Sequence, residues 1–379
     1  MLQDRVSAHK ISFSIVLDDT VFATKTVQTD NTTPDNAPVD TERNSNMTSN
    51  NHLNLAKPHD LEYFQRELES FLPDRIFDAH CHVWPSDRYD TFGIIHGAIG
   101  YNEYKLLMRD IHGDRPTSAM FIPTPCDTDD ASMTLTNEWT AQAAGADPNF
   151  RGIFFIRPSD DPGEVRDQIR RLDLHGLKCY HTASNVNPTW EAQIPDYLPE
   201  SFIEMADQEG WVITLHMVRA RACADPSNIK WIRHYCENYP NMKLILAHSA
   251  RGFQPAHNLE GLPQLTGLEN LYFDTSANCD PIAHQSIMRI IGPDKLLYGS
   301  DLPVCHLRGR SVPVGDTFLW LYEETPVWEE KHLHIDPPLV GLEHLRSLKW
   351  ACWSEKLTDG QVEDIFYNNA AKLFGLGNS

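Results

Sequence analysis

From Pro58 onward, short apolar runs alternate with longer amphipathic stretches. The apolar runs fall at Arg75–His80, Ser118–Ile122, Gly152–Arg157, Gly176–Tyr180, Trp211–His216, Lys243–His248, Asn270–Thr275 and Lys295–Gly299, and they are rich in β-branched residues. Runs this short and this apolar predict strands buried on both faces, the condition of parallel strands covered by helices. Between them, Met133–Ala144, Glu164–Leu172, Ser201–Gln208, Ser227–Asn238 and Ile282–Ile291 read as amphipathic helices. Eight strands in strict alternation with helices predict an α/β fold, a (β/α)8 TIM barrel rather than an open sheet. A short helix over Asp60–Phe71 leads into the first strand. Leu342–Ser354 and Gln361–Phe374 look helical and are expected to pack on the outside of the barrel.

Two connections are too long to be turns: Val83 to about Tyr101 after the first strand, and Leu302 to about Val340 after the eighth. Long βα loops belong to the catalytic face of a barrel, where they form lids and pocket walls. Residues 1–57 break the rhythm altogether. They are rich in Asn, Thr and Asp, lack Trp and Tyr, and have too little apolar surface to offset the entropy of ordering. They are expected to be a disordered tail ahead of a single domain over 58–379.

Composition narrows the partners. With 32 basic and 53 acidic residues the net charge is −21, which opposes binding to nucleic acid or anionic membrane. The run Ile11–Leu17 is too short and too polar for a signal segment, and nothing approaches the ~18 apolar residues of a membrane span. Eight scattered cysteines without a CxxC pair read as reduced thiols, so the expected location is the cytoplasm.

The chemistry gathers at strand ends. The first strand closes Asp78-Ala79-His80-Cys81-His82, and in a strand His80 and His82 face one way while Cys81 faces the other. A histidine at a strand end is often only a hydrogen-bonded core residue, so the pair alone decides little. The balance shifts because strand five ends at His216, strand six at His248, and strand eight runs into Gly299-Ser300-Asp301. In a barrel all of these lie on the pocket rim. Imidazoles with one carboxylate suit Zn²⁺ or a similar divalent first-row ion with room left for water, whose proton a nearby carboxylate can take.

With these motifs the chain resembles the amidohydrolase superfamily, in the branch described as amidohydrolase-related. The resemblance runs from about Ile76 to Phe374 and rests on FDAHCHVW, LHM, LAHSAR, YFDTSA and LLYGSDLP. It implies one metal held by His80, His82, His216 and Asp301, with Zn²⁺ expected and Mn²⁺ or Fe²⁺ as alternatives. It also implies that His248 contacts the attacking water or substrate and that Asp301 doubles as general base. Lys178 on strand four matches the position of a carboxylated, metal-bridging lysine in some members; the preferred reading is an unmodified pocket cation that meets substrate. Arg88, Arg219, Arg221, Arg251, Arg308 and Arg310 all follow strand ends on the expected pocket side, which suggests a carboxylate-bearing substrate. Arg251 and Arg219 are the expected contacts, and Trp84 is a candidate for the pocket wall, as is Tyr298.

The expected function is metal-dependent hydrolysis, with activated water attacking a C–O or C–N bond of a lactone or amide. The alternative is non-oxidative decarboxylation, since the branch includes enzymes resembling aminocarboxymuconate-semialdehyde decarboxylase with nearly the same ligands. Some of those carry Glu in place of the first histidine, so His80 tilts towards hydrolysis. The expected partner is a small anionic molecule, with self-association left open.

Overall fold

The computed structural model describes residues 55–86, 94–329 and 336–376, all within one compact unit, Ser49–Ser379. The expected tail up to residue 54, and Arg88, lie outside the described residues. The barrel strands are β1 (Ile76–Val83), β2 (Thr117–Pro123), β3 (Arg151–Gly152 and Phe154–Phe155), β4 (Gly176–Cys179), β5 (Val212–Leu215), β6 (Lys243–Leu246), β7 (Leu271–Asp274) and β8 (Leu296–Leu297). Each pairs in parallel with the next.

The break in β3 at Ile153 divides the ladder without opening it, because Ile153 N–H still donates to Phe121 C=O at 3.1 Å. The ring closes between β1 and the chain following β8. There Ala79 N–H donates to Tyr298 C=O at 2.8 Å, Asp301 N–H to His80 C=O at 2.7 Å, and His82 N–H to Leu302 C=O at 2.9 Å. A closed ring leaves no unpaired strand edge.

The helices begin slightly before the apolar periodicity does: Asp130–Ala144, Pro162–Arg171, Glu200–Glu209, Pro226–Asn238 and Pro281–Ile290. Three of them start on an Asp-Pro step. The carboxylates of Asp161, Asp225 and Asp280 accept the N–H of Glu164, Ser227 and Ile282, and proline supplies a ready-made first helical residue. The helices cover the strands through a continuous apolar layer that includes Cys81, Leu177, Ile213, Leu244 and Phe273.

The C-terminal segment departs from expectation. Instead of lying on the outside, Tyr367, Ala370, Ala371 and Phe374 pack with Phe77, Met120, Ile153, Val212, Ile245 and Leu297, the inward residues near the starts of the strands. The rings of Phe374 and Phe77 stack at 5.3 Å. This plug closes the end of the barrel opposite His80 and His82. The long connection after β8 also carries structure of its own, an antiparallel hairpin of β9 (Gly309–Val314) and β10 (Thr317–Tyr322) turning at Gly315-Asp316. All eight cysteines are free thiols, and no helix among the described residues is long and apolar enough to cross a membrane.

Candidate metal centre

A local irregularity in β1 aims the two histidines. The register against β2 shifts between Asp78 and Cys81. Phe77 and Ala79 therefore face the barrel interior, while Cys81 and Val83 join the outer layer. A bulge of this kind inserts one residue and reverses the alternation, so His80 and His82 point inward after Ala79 has already done so. Asp78 supports it: its Oδ1 accepts His80 N–H at 3.1 Å and Ser300 N–H at 2.8 Å, and its Oδ2 accepts the Tyr104 hydroxyl at 3.1 Å. Burial nevertheless pushes the Asp78 carboxyl up to about 7, against the lowering effect of those donors.

Among the described residues, His80, His82 and Asp301 form the one tight group of potential metal ligands, their donor atoms within 4.8 Å of one another and all buried. Asp301 Oδ1 stands 3.6 Å from Nε2 of both His80 and His82. His80 Nδ1 meets Asp274 Oδ2 at 2.8 Å, so the ring proton sits on Nδ1 and Nε2 keeps its lone pair. That Nε2 is buried and has no hydrogen-bond partner among the described residues. An imidazole whose far nitrogen is held by a carboxylate and whose near nitrogen is an unused donor fits a metal ligand. His82 is held similarly, with Nδ1 3.1 Å from Thr124 Oγ1 and Nε2 3.4 Å from the Tyr180 hydroxyl.

His216 lies one ring further out. Its Nδ1 is 3.2 Å from Nε2 of His248, whose Nδ1 in turn is 3.1 Å from Ser276 C=O and 3.8 Å from Asp301 Oδ2. A carbonyl only accepts, so His248 carries its proton on Nδ1 and receives that of His216 at Nε2. The lone pair of His216 is left on Nε2, the tautomer a ligand requires. His248 itself sits in a left-handed turn in which His248, Ser249, Ala250 and Arg251 all have φ between 52° and 59°. Left-handed non-glycine residues cost roughly 1–2 kcal/mol each and need outside support. Asn278 Nδ2 donates to His248 C=O at 3.1 Å, and Asn258 Nδ2 to Ser249 C=O at 2.8 Å.

All four imidazoles are held neutral. Burial depresses His80, His82 and His216, and brings His248 down to about 3, with the charge of Lys178 adding to each. Burial alone would raise Asp274, but the facing His80 and His248 and the Ser276 hydroxyl outweigh it and keep the carboxylate ionised. Lys178 is itself fully buried, its ammonium 4.6 Å from the centre of the Tyr180 ring.

The remaining expected residues divide. Arg251 lies close enough for its charge to depress His216, and its guanidinium sits 5.8 Å from the Phe318 ring. Arg219 is engaged at the rim by Asp225 at 3.0 Å and by Glu191 C=O at 2.8 Å. Arg221 pairs with Glu260, and Arg310 with Glu343. Arg308 forms a buried pair with Asp60 at 2.7 Å. Trp84 is buried with its N–H on Gly97 C=O at 2.9 Å. Tyr298 is stacked between His344 and Phe366 and bonded to His112 at 2.7 Å. Both aromatics are therefore part of the packing. Sequence reasoning passed over Asp78, Asp274, Tyr180 and Ser276, although all four stand inside or beside motifs it quoted.

The family model described as Amidohydrolase matches residues 77–376. No curated protein matches the chain in sequence. Among solved structures, the chain is similar to 4-oxalomesaconate hydratase from Rhodopseudomonas palustris, with 13% identity and a TM-score of 0.53, over 79% of this chain and 95% of that one. It is also similar to amidohydrolase 2 from Bifidobacterium longum subsp. infantis, at 13% identity and a TM-score of 0.48, covering 80% and 100%. A third is dihydroxybenzoic acid decarboxylase from Polaromonas sp. JS666 with bound manganese, at 15% identity and a TM-score of 0.46, covering 81% and 98%. At this identity the likeness to the hydratase is a likeness of fold.

Proposed function

The chain belongs to the amidohydrolase family, and from that premise we propose that it is a divalent-metal-dependent enzyme that removes CO₂ from a small carboxylate-bearing substrate. His80, His82 and Asp301 would hold the ion, with His216 as the fourth ligand through Nε2. When bound, a Zn²⁺ or Mn²⁺ ion supplies Lewis-acid charge that binds and polarises substrate oxygens.

The observation that carries the reading is Lys178, a fully buried ammonium beside four imidazoles held neutral. Counting a divalent ion, Lys178, Asp301 and Asp274, the centre has one positive charge in excess, which a single substrate carboxylate neutralises. A buried centre with net positive charge favours an anionic ligand, and Arg251 adds to the attraction. Breaking the C–C bond to the carboxylate leaves an electron pair on carbon that must take up a proton. Asp301, placed between His80 and His82, can carry that proton from solvent to the carbon, with His248 3.8 Å from its other oxygen. The burial of Lys178, Asp274, Asp301 and the four imidazoles favours a reaction in which water is not a reactant.

The intact His80–His82 pair supports hydrolysis of a lactone or amide as a second reading, with Asp301 accepting a proton from water instead. The test is to load the purified chain with Mn²⁺ or Zn²⁺, count the metal by elemental analysis, and offer a panel of aromatic and conjugated carboxylates beside a panel of lactones. Decarboxylation predicts about one ion per chain and CO₂ release from at least one acid. Ring opening of lactones without CO₂ release would replace it with hydrolysis.

A further inference from the structure

The ring of His82 is held at both nitrogens, and the two contacts differ in kind. Nδ1 stands 3.1 Å from Thr124 Oγ1, and Nε2 stands 3.4 Å from the Tyr180 hydroxyl. A ligand needs its lone pair on Nε2, which puts the ring proton on Nδ1, donated to Thr124. Tyr180 is then the donor to Nε2, the nitrogen that also faces Asp301 Oδ1 at 3.6 Å. Thr124 supports the tautomer that binds metal, whereas Tyr180 occupies the lone pair that a metal would take.

Backbone alternation puts the hydroxyl there. β4 ends at Cys179, and Tyr180 continues it in extended conformation, with φ −129° and ψ 143°. Lys178 and Tyr180 therefore turn into the barrel, while Leu177 and Cys179 join the outer apolar layer. The Tyr180 ring stacks on Phe155 at 5.7 Å, and lies 5.9 Å from the ring of His216 and 4.6 Å from the Lys178 ammonium. The cation is attracted to the ring face and draws electron density from the phenol, which makes its O–H the better donor. Lys178, Asp301 and the four imidazoles are buried, but Tyr180 is only half-buried and keeps open surface at the end of β4 where the ligands gather.

A carboxylate arriving at this centre needs hydrogen-bond donors as well as positive charge, and the imidazoles offer none. Each ring N–H is spent on a support: His80 on Asp274, His82 on Thr124, His216 on His248, and His248 on Ser276 C=O. We infer that Tyr180 is a further substrate-contacting residue, its hydroxyl donating to a carboxylate oxygen of the substrate at the metal centre. A metal bond and a hydrogen bond cannot share one lone pair, so loading the centre turns the hydroxyl away from Nε2. Asp301 Oδ1, the other acceptor near Nε2, is itself a proposed ligand, and the acceptor that the reaction brings is the substrate. The inference rests on the carboxylate reading of the metal centre and adds to it the donor that the ligands lack.

The test uses the full chain, with Mn²⁺ affinity read by competition with a chelating dye and 2-hydroxybenzoate binding to the Mn²⁺-loaded chain read by calorimetry. Tyr180→Phe keeps the ring and its stacking and deletes the hydroxyl, so the melting temperature should not change. Its affinity for 2-hydroxybenzoate should fall by about tenfold, the scale of a hydrogen bond to a charged group. Its Mn²⁺ affinity should stay equal or rise by up to about fivefold, because the unloaded chain has one hydrogen bond fewer to give up. Thr124→Val removes the support on the other nitrogen of the same ring and should instead lower Mn²⁺ affinity by about tenfold. A fall in Mn²⁺ affinity in Tyr180→Phe like that in Thr124→Val would make Tyr180 a support of His82 and overturn the inference. Unchanged 2-hydroxybenzoate affinity in Tyr180→Phe would overturn it as well, and in both cases the carboxylate reading stands. Failure of the wild type to bind 2-hydroxybenzoate would overturn both.

Discussion

Asp274 shows how much of this centre depends on a residue that touches no substrate. One of its oxygens takes the Nδ1 proton of His80, and the other takes the backbone N–H groups of His248 and Ser276, at 3.0 and 3.1 Å. An amide cannot satisfy both sides. If Asp274→Asn turns its oxygen to the two backbone donors, its NH₂ faces His80, which must then move its proton to Nε2 and lose the lone pair directed at Asp301 and His82. If it turns the other way, the NH₂ opposes two N–H groups. Either outcome lowers metal affinity by about 10–100-fold, the usual effect of removing such a support. His82→Ala, which deletes a proposed ligand outright, should lose most of the metal. Competition with a chelating dye measures both. Unchanged affinity in Asp274→Asn would mean that His80 is not a ligand or is oriented by something else.

At the scale of elements, alternating apolar and polar runs were enough to locate all eight strands and five outer helices, because burial on one or two faces leaves a period in the sequence. The helix starts came out slightly late because periodicity marks packing, whereas Asp161, Asp225 and Asp280 mark the cap. The hairpin was legible in principle: Phe318, Trp320 and Tyr322 alternate with Leu319 and Leu321 after Gly315-Asp316. The alternation of strands and helices does not predict it, because an edge hairpin lies outside the barrel rhythm. The C-terminal plug was not legible, since an apolar stripe does not say which surface it will cover. Nor was the left-handed turn at His248–Arg251, which contains no glycine. The ligands were readable as residues, but the bulge that aims His80 and His82 is a backbone event specified by Asp78, Ser300 and Tyr104 from three distant parts of the chain. The N-terminal boundary is a further case. Leu55 and Ala56 donate their N–H groups to Asp110 Oδ2 at 3.2 and 3.1 Å, and Arg308 donates to Leu55 C=O at 2.8 Å. A chain beginning at Leu55 is expected to fold and hold metal as the full chain does. One beginning at Pro58 leaves Asp110 and the Arg308–Asp60 pair short of partners and should lose about 1–3 kcal/mol. Equal denaturation midpoints for the two truncations would contradict this boundary.

The whole molecule carries an acid sensitivity that does not depend on metal. Burial brings His112 down to about 3, His284 and His306 to about 4, and His344 well below its ordinary value. Above the unfolded value near 6.5 these rings are neutral in both states and cost nothing. As the pH falls below 6.5 the unfolded chain binds protons that the folded one refuses, and each ring removes about 1.4 kcal/mol of stability per pH unit until its folded value is reached. At pH 5 that is about 2 kcal/mol per histidine and about 8 kcal/mol for the four. Asp78 works in the opposite direction: its folded value near 7 means that the burial penalty on its charge is relieved as the pH falls. Between pH 7 and 5 it returns about 2–3 kcal/mol. The net loss of about 5 kcal/mol is a large share of an ordinary folding free energy, and the melting temperature should drop by about 10 °C or more. Measurement on metal-stripped protein removes release of the ion as a cause; the four imidazoles of the centre, depressed by the same burial, then add to the loss. His344 offers the sharpest check, because among the described residues both of its ring nitrogens are buried without a hydrogen bond; the ring stacks on Tyr298, 5.6 Å away and 7° from parallel, and lies 5.6 Å from the ring of His284. His344→Phe keeps the stacking and deletes the titrating group. Its stability should match or exceed that of the wild type at pH 7, and the gap should widen in its favour by about 2 kcal/mol at pH 5. A melting temperature that stays flat from pH 7 to 5 in the wild type, or a gap that does not widen, would show that these histidines take up protons in the folded state.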